Sequence, residues 1–333
     1  MEIFNPHDKF FKETFSIREN VIDFLKGTFS EEMVEKLDLS TLIQDNTSYI
    51  DEELKEHFSD IVYTCYCKGK ELKITLLFEH KSYSVPYPHL QILKYLLKIW
   101  ETNIKQTEKL IPVIPVILYH GKELWKTRQF SDYFEGTDEI FFRFVPEFEY
   151  LLTDLSKFSN EEIKQKVFKR VSLEIALLVM RNIFHEKELE KNLKDFLKIG
   201  RHYFDEEEGL KFLEGVIRYL YSTTEIEVVK VVNTIKEISE KGGEMGATTA
   251  AKLIEKGKIE GKIEGKIEGK IEGKIEGLKE AIEIGLELKY GVAGLKLLEK
   301  IIKMTSIEKL ETIKEAVKIS KNREEIEKLL TGL

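Results

Sequence analysis

Residues 257–277 read GKIEGKIEGKIEGKIEGKIEG, one tetrapeptide repeated five times. A strict period of four admits few backbones. In an α-helix four residues turn the chain by about 400°, so each unit returns to the same side with a drift of about 40°. Ile259, Ile263, Ile267, Ile271 and Ile275 then form one slowly winding stripe, with glycines roughly opposite and Lys and Glu on the flanks. A strand would put Gly and Ile together on one face, and Gly is poor in strands. The helix has its own penalties: about 1 kcal/mol for each interior Gly relative to Ala, and like charges recurring at i,i+4. Such a helix is marginal alone. It reads as a spacer held by packing along the Ile stripe, most simply by self-association, with a right-handed tendency because its period exceeds 3.6. The rival is an exposed, flexible tract that contacts nothing.

The remainder of the 333 residues is rich enough in apolar and aromatic side chains, 42% and 11%, to bury a core and to exclude disorder throughout. The net charge of -8 argues against a nonspecific coat on nucleic acid, though not against a local basic surface. Cys65 and Cys67 are too few for a structural zinc site and read as core or surface thiols of a cytoplasmic protein. No basic-then-apolar leader opens the sequence. The most apolar windows, VSLEIALLVM and IPVIPVILYHG, are too short to cross a bilayer.

The first half mixes helix and strand patterns. NPHDKFFKETFSIRENVIDFLKGTF reads as one or two short helices, with Asp8 a candidate cap and Gly27 a stop. Residues 38–50 read as extended, and FSDIVYTCYCKGKELKITLLFEHKS as a hairpin turning at KGK, where Lys68 and Lys70 are solvated. PHLQILKYLLKIWETNIKQ is an amphipathic helix. IPVIPVILYHG is a strand in which Pro115 cautions against a simple central position, and FFRFVPEFEY is a further strand candidate. Pro is absent after Pro146, and four helices are expected between about 160 and 240, the first spanning EEIKQKVFKRVSLEIALLVMRNIF. The expected divisions are 1–155, 156–250, 251–280 and 281–333. The first boundary is soft, since later helices can pack on the first part.

The stretch ITLLFEHKSYS, residues 74–84, opens as a buried strand and closes with Glu79, His80 and Lys81. Alternation puts Glu79 and Lys81 on one face and His80 on the other. The hairpin brings Asp60, at the start of the preceding strand, beside that end. Two carboxylates can hold a divalent cation such as Mg²⁺, whose remaining ligands are waters and phosphate oxygens. A neighbouring ammonium can orient water or neutralise charge on a phosphoryl group. The bland alternative is a solvated Glu-x-Lys pair worth under about 1 kcal/mol. His80 reads as taking a structural bond, and His120 as a phosphate-contact candidate.

These residues carry a resemblance. NPHDKFFKE at 5–13, DLSTLIQDNTSYIDEELKEHFSDIVY at 38–63, LLFEHKS at 76–82 and IPVILYHG at 114–121 resemble the Rpn family of recombination-promoting nucleases, also labelled transposases, within the PD-(D/E)XK nuclease superfamily. The resemblance implies an α/β restriction-endonuclease-like core in the order α-β-β-β-α-β, followed by a mainly helical C-terminal region. It implies a metal-dependent DNA endonuclease hydrolysing phosphodiester bonds in double-stranded DNA, linked to recombination, mobile elements or phage defence. Asp60 and Glu79 fall on the motif carboxylates that hold Mg²⁺ (or Mn²⁺ or Ca²⁺), and Lys81 on the motif lysine. Asp8, Glu13 and Gln91 are accessory candidates. Ser59 stands where the superfamily name has proline. The competing readings are a DNA-binding or protein-interaction module that keeps the fold with little cleavage, and an interaction protein built on the repeat. The latter leaves LLFEHKS unexplained.

Overall fold

The computed structural model describes residues 5–45, 61–69, 73–83, 85–107, 109–165 and 168–332. Among these the chain is mostly helical, with one five-stranded mixed sheet. It divides into two compact units, residues 1–253 and 254–333.

The first unit opens with α1 (Pro6–Phe15), α2 (Arg18–Thr28) and α3 (Glu31–Lys36). Asn5, not Asp8, caps α1: its side chain accepts the His7 N–H at 3.1 Å, and Pro6 occupies the first turn, where no amide donor is needed. Gly27 lies inside α2 rather than ending it. A Cβ there would come within 2.5 Å of the Phe168 ring, so Gly27 makes room for packing.

Strands β1 (Leu37–Asp45), β2 (Ile61–Cys67) and β3 (Lys73–Lys81) form an antiparallel meander. The β1–β2 register shifts between Asp38 and Ile43. Arg18 serves the carbonyls there, donating to Leu42 at 2.7 Å, Leu39 at 3.1 Å and Ser40 at 2.6 Å. Helix α4 (Pro88–Thr107) then crosses to β4 (Val113–Tyr119), which pairs parallel with β3, and β5 (Leu151–Asp154) pairs parallel with β4. Pro115 is tolerated because β5 joins only from Val116 onward, leaving one side of β4 open at the proline. The expected strand at 141–150 does not form. Residues Glu139–Phe144 make a 3₁₀ segment started by the Asp138 side chain, with Ile140, Phe141 and Phe144 exposed.

Two apolar layers cover the sheet. On one face Phe11, Phe15 and Phe24 pack against Phe78 and Tyr63, and the buried Tyr63 hydroxyl donates to the Phe15 carbonyl at 2.8 Å. On the other, Ile92 and Leu96 of α4 meet Ile117, Tyr119 and Trp125. The next helices are α5 (Asn160–Gln165), α6 (Val171–Asn182), α7 (Glu186–Lys198), α8 (Glu207–Thr223) and α9 (Val228–Lys236). The single helix expected over 161–184 is therefore two, since Phe168–Arg170 are not helical. Asp23 of α2 accepts the backbone N–H groups of Lys169 and Arg170 at 2.7 and 2.8 Å, and Ser172 donates to Asn20 at 2.8 Å. These bonds seat α6 on the N-terminal helices within the same compact unit as the sheet.

Helix α10 (Glu240–Leu295) contains the repeat and has a non-helical residue at Gly291. In the second unit its later turns pack with α11 (Leu298–Ile301), α12 (Ile307–Ile319) and α13 (Arg323–Gly332) around Leu286, Ile301, Leu310, Ile313 and Ile326. The Lys289 ammonium donates to the carbonyls of Val317, Lys318 and Ser320 at 2.9, 2.8 and 2.9 Å, placing a cation where the end of α12 is negative. Among the described residues no helix is long and apolar enough to cross a membrane.

Candidate functional site at the end of strand β3

The Glu79–Lys81 segment closes β3, with β2 on one side and β4 on the other. The backbone of Glu79 pairs with Ile117, and that of Lys81 with Tyr119. The His120 N–H extends the ladder by donating to the Lys81 carbonyl at 3.1 Å. Lys81 is buried, at 4% exposure, so its surroundings are protein rather than bulk water. Asp60 lies outside the described residues. The last described β2–β3 pair, Ile61 with Phe78, stops one residue short of Asp60 and Glu79 in sequence.

The accessory carboxylates separate. Asp8 and Glu13 are five residues apart on α1, about 140° around the helix. Asp8 reaches β3, accepting a hydrogen bond from His80 Nδ1 at 3.1 Å. Glu13 turns to α8, where Arg218 holds both its oxygens at 3.0 and 3.1 Å. Gln91 is half-buried in the first turn of α4.

His80 makes the structural bond its strand position suggested, and it belongs to a larger assembly that sequence reasoning missed. Phe11, His80, His120 and Phe184 stack in one column, with centroid spacings of 5.1, 4.7 and 5.5 Å. His7 sits beside it, 5.3 Å from His120, with Nδ1 2.8 Å from the Tyr219 hydroxyl. The column ties α1 and the segment after α6 to the carboxyl ends of β3 and β4. His120 is only 2% exposed, which removes it as a phosphate contact. The sequence clue was the pair of histidines at adjacent strand ends, but their stacking needs the parallel β3–β4 register. Gly121 follows because a Cβ there would lie 2.2 Å from the Tyr119 hydroxyl.

These rings are held neutral. Burial lowers the His7 pKa to about 4, with the His80 charge adding to the effect and Asp8 opposing it. Burial also lowers His80 against the Asp8 hydrogen bond, and lowers His120 well below its ordinary value with help from His80 and His7. Because a carboxylate only accepts, His80 carries its proton on Nδ1. Its Nε2 has no hydrogen-bond partner among the described residues. Each histidine binds a proton more readily in the unfolded chain, near pH 6.5, than in the fold. The contribution of these rings to stability is therefore full above about pH 6.5 and is lost as the pH falls below it, with a slope of up to about 1.4 kcal/mol per pH unit per histidine; for His7 the loss is complete near pH 4. The His120→Phe variant should fold and show a shallower acid limb. Urea midpoints measured between pH 7.5 and 4.5 check this, and identical pH dependence in both proteins would refute it.

Among the described residues no group of three or more His, Cys, Asp or Glu is placed to hold a metal ion. Cys65 is inert: burial pushes its thiol up to about 11. Just beyond Lys81, an open pocket of about 330 Å³ is lined by Ser82, Tyr83, Tyr119, Lys122, Glu123 and Phe184. Such crevices outside the carboxyl ends of parallel strands are where α/β proteins bind ligands.

The fold and site thus define an α/β protein with an acidic residue and a buried lysine closing a central strand beside an open pocket. The chain belongs to the family described as "Putative transposase, YhgA-like", whose profile matches residues 5–211, and Rpn proteins are among the curated relatives it is similar to. It is 28% identical to recombination-promoting nuclease RpnC of Escherichia coli (strain K12) over 118 residues, 35% of this chain and 39% of the relative. It is 28% identical to RpnA of the same organism over 119 residues, 35% of this chain and 41% of the relative. A longer match, 24% identical over 170 residues, covers 51% of this chain and 56% of an inactive recombination-promoting nuclease-like protein, RpnE, again from that strain. The chain therefore spans about two fifths of the length of the first two relatives. No solved structure matches it.

Proposed function

We propose that this chain is a metal-dependent DNA endonuclease on a restriction-endonuclease-like core of the PD-(D/E)XK type. The observation that carries the reading is the placement of Glu79-His80-Lys81 at the end of a strand paired on both sides, in an element order of helix, three antiparallel strands, helix and parallel strand. Relatives named as nucleases support it.

Asp60 and Glu79 are the residues that would hold the cation. Two carboxylates are hard oxygen donors, and that donor set suits Mg²⁺ or Mn²⁺ and leaves coordination positions for water and phosphate. The ion's part when bound is to polarise the phosphoryl group and favour ionisation of a bound water. Lys81, held by the β3–β4 ladder, orients the attacking water and offsets charge growing on the phosphate. The Asp8–His80 bond and the ring column keep the strand end rigid.

A second reading, a DNA- or protein-binding module that has lost cutting, is favoured by the relative named inactive. The intact trio of Asp60, Glu79 and Lys81 favours the enzyme. Incubating purified protein with supercoiled plasmid, with and without Mg²⁺, separates the two: nicked or linear product only with the ion supports the nuclease. Lys81→Ala should slow single-turnover cleavage by about 10²–10³ while changing DNA affinity far less, as expected of a group acting in the transition state. Lys81→Arg should not restore the rate, because the planar guanidinium differs in reach and shape. A variant that loses affinity alone would reduce Lys81 to a docking charge.

A further inference from the structure

The repeat within α10 is helical, and most of its apolar row is uncovered. Ile259, Ile263, Ile267 and Ile271 are 53, 53, 52 and 45% exposed. The contrast lies in the last unit, where Ile275 packs against the C-terminal cluster and Lys274 pairs with Glu311 at 2.7 Å. The first four units are thus left with an unpartnered row of isoleucines. Four large apolar side chains in one exposed line mark an interaction face rather than scattered surface residues.

We infer that this row pairs with the same row of a second copy of the chain, with the two helices parallel. The argument rests on charge order. In each unit Lys precedes Ile and Glu follows it, so the two lie about 100° to either side of the stripe. One flank therefore carries only Lys258, Lys262, Lys266 and Lys270, and the other only Glu260, Glu264, Glu268 and Glu272. A parallel copy is generated by a two-fold axis running along the helices. It sets the lysine flank of each chain against the glutamate flank of the other, on both sides of the seam. An antiparallel copy needs an axis perpendicular to the helices and sets Lys against Lys and Glu against Glu. Charges flanking an apolar seam choose partner and orientation in helical pairs.

Within one helix the same order is unfavourable, because like charges repeat at i,i+4. Glu260 pairs with Lys256 ahead of the repeat at 3.5 Å, but within the four units no Lys and Glu stand at i,i+3 or i,i+4, and the partner that matches both flanks unit for unit is an identical chain. The contact is a ridge of i,i+4 side chains meeting the corresponding groove, for which the preferred crossing is about −50°. It engages a few units at a time, so pairing is weak and depends on concentration.

Sedimentation equilibrium of the full chain over a range of concentrations should show reversible dimerisation. Replacing Ile259, Ile263, Ile267 and Ile271 by Ser should abolish it, with Ile275 and the C-terminal cluster left intact. A second variant exchanges Lys and Glu in the four units and removes no apolar surface. Alone it should dimerise like the parent, since its flanks still complement in parallel. Mixed with the parent it should form no parallel heterodimer, read as absence of energy transfer between labels placed at residue 257 of the two chains, because a parallel mixed pair sets like charge against like. A monomer at every concentration, a dimer untouched by the serine substitutions, or energy transfer between such labels in the mixed pair would each overturn the proposal.

Discussion

Glu79→Ala and Asp60→Ala are each expected to lose Mg²⁺-dependent plasmid cleavage, by at least about a hundredfold. The magnitude follows from the several kcal/mol that a correctly held cation contributes to phosphoryl transfer, at about 1.4 kcal/mol per tenfold in rate. Neither substitution should unfold the protein. The core around β3 is built from Phe11, Phe15, Phe24, Tyr63 and Phe78, and the strand end is held through His80 and the β4 ladder. Two measurements keep loss of chemistry distinct from loss of fold: helical circular dichroism, and titration of Mn²⁺ into the folded variants. Weakened Mn²⁺ binding with an unchanged helical signal supports the assignment. Full cleavage by both variants would remove these carboxylates from the mechanism and the nuclease reading with them.

Asp23→Ala is expected to destabilise the first unit by about 2–4 kcal/mol. Asp23 is 6% exposed, and one of its oxygens accepts both the Lys169 and Arg170 N–H groups. Helix α6 has no side-chain cap at Arg170, and Asp23, 146 residues before Lys169, instead accepts the two N–H groups that lead into the helix. Truncation leaves two backbone donors without their acceptor at a part-buried helix start, and hydrogen bonds to a charged acceptor are worth about 1.5–3 kcal/mol each when well placed. Asp23→Asn keeps one acceptor oxygen and should lose less. Urea denaturation at constant m-value measures both. A loss below about 1 kcal/mol for Asp23→Ala would mean that water or relaxation satisfies the donors.

Parts of this architecture were legible before any coordinates. Strands β2 to β4 and helix α4 follow from apolar alternation and helical spacing in adjacent residues. β5 was not legible. Its four residues carry too little pattern, and the stronger aromatic signal just before it, FFRFVPEFEY, is divided between a 3₁₀ segment ending at Phe144 and an irregular stretch whose Phe148 and Tyr150 pack against the α4 cluster. The break between α5 and α6 was hidden for a different reason. Nothing in KVFKRV forbids a helix, and the competing acceptor is Asp23 on another element. For the site, Glu79 and Lys81 stood out as polar residues closing an apolar strand. The roles of their neighbours did not: Asp8 looked like a cap, and His120 like a surface donor.

The sequence by itself determined the features that repeat over a few residues. These are the helical path of GKIE, the strand that ends at Lys81, and the order of elements around it. Their cause is local, since backbone geometry converts a period of two or of nearly four into a face. Tertiary structure alone decided which of two carboxylates on α1 meets β3, since Asp8 and His80 lie 72 residues apart. It also decided that His7 meets Tyr219 across 212 residues and that His80 and His120 share one ring column. Such contacts depend on strand register and helix docking, which the burial of many side chains settles together, and no short stretch of sequence records that sum.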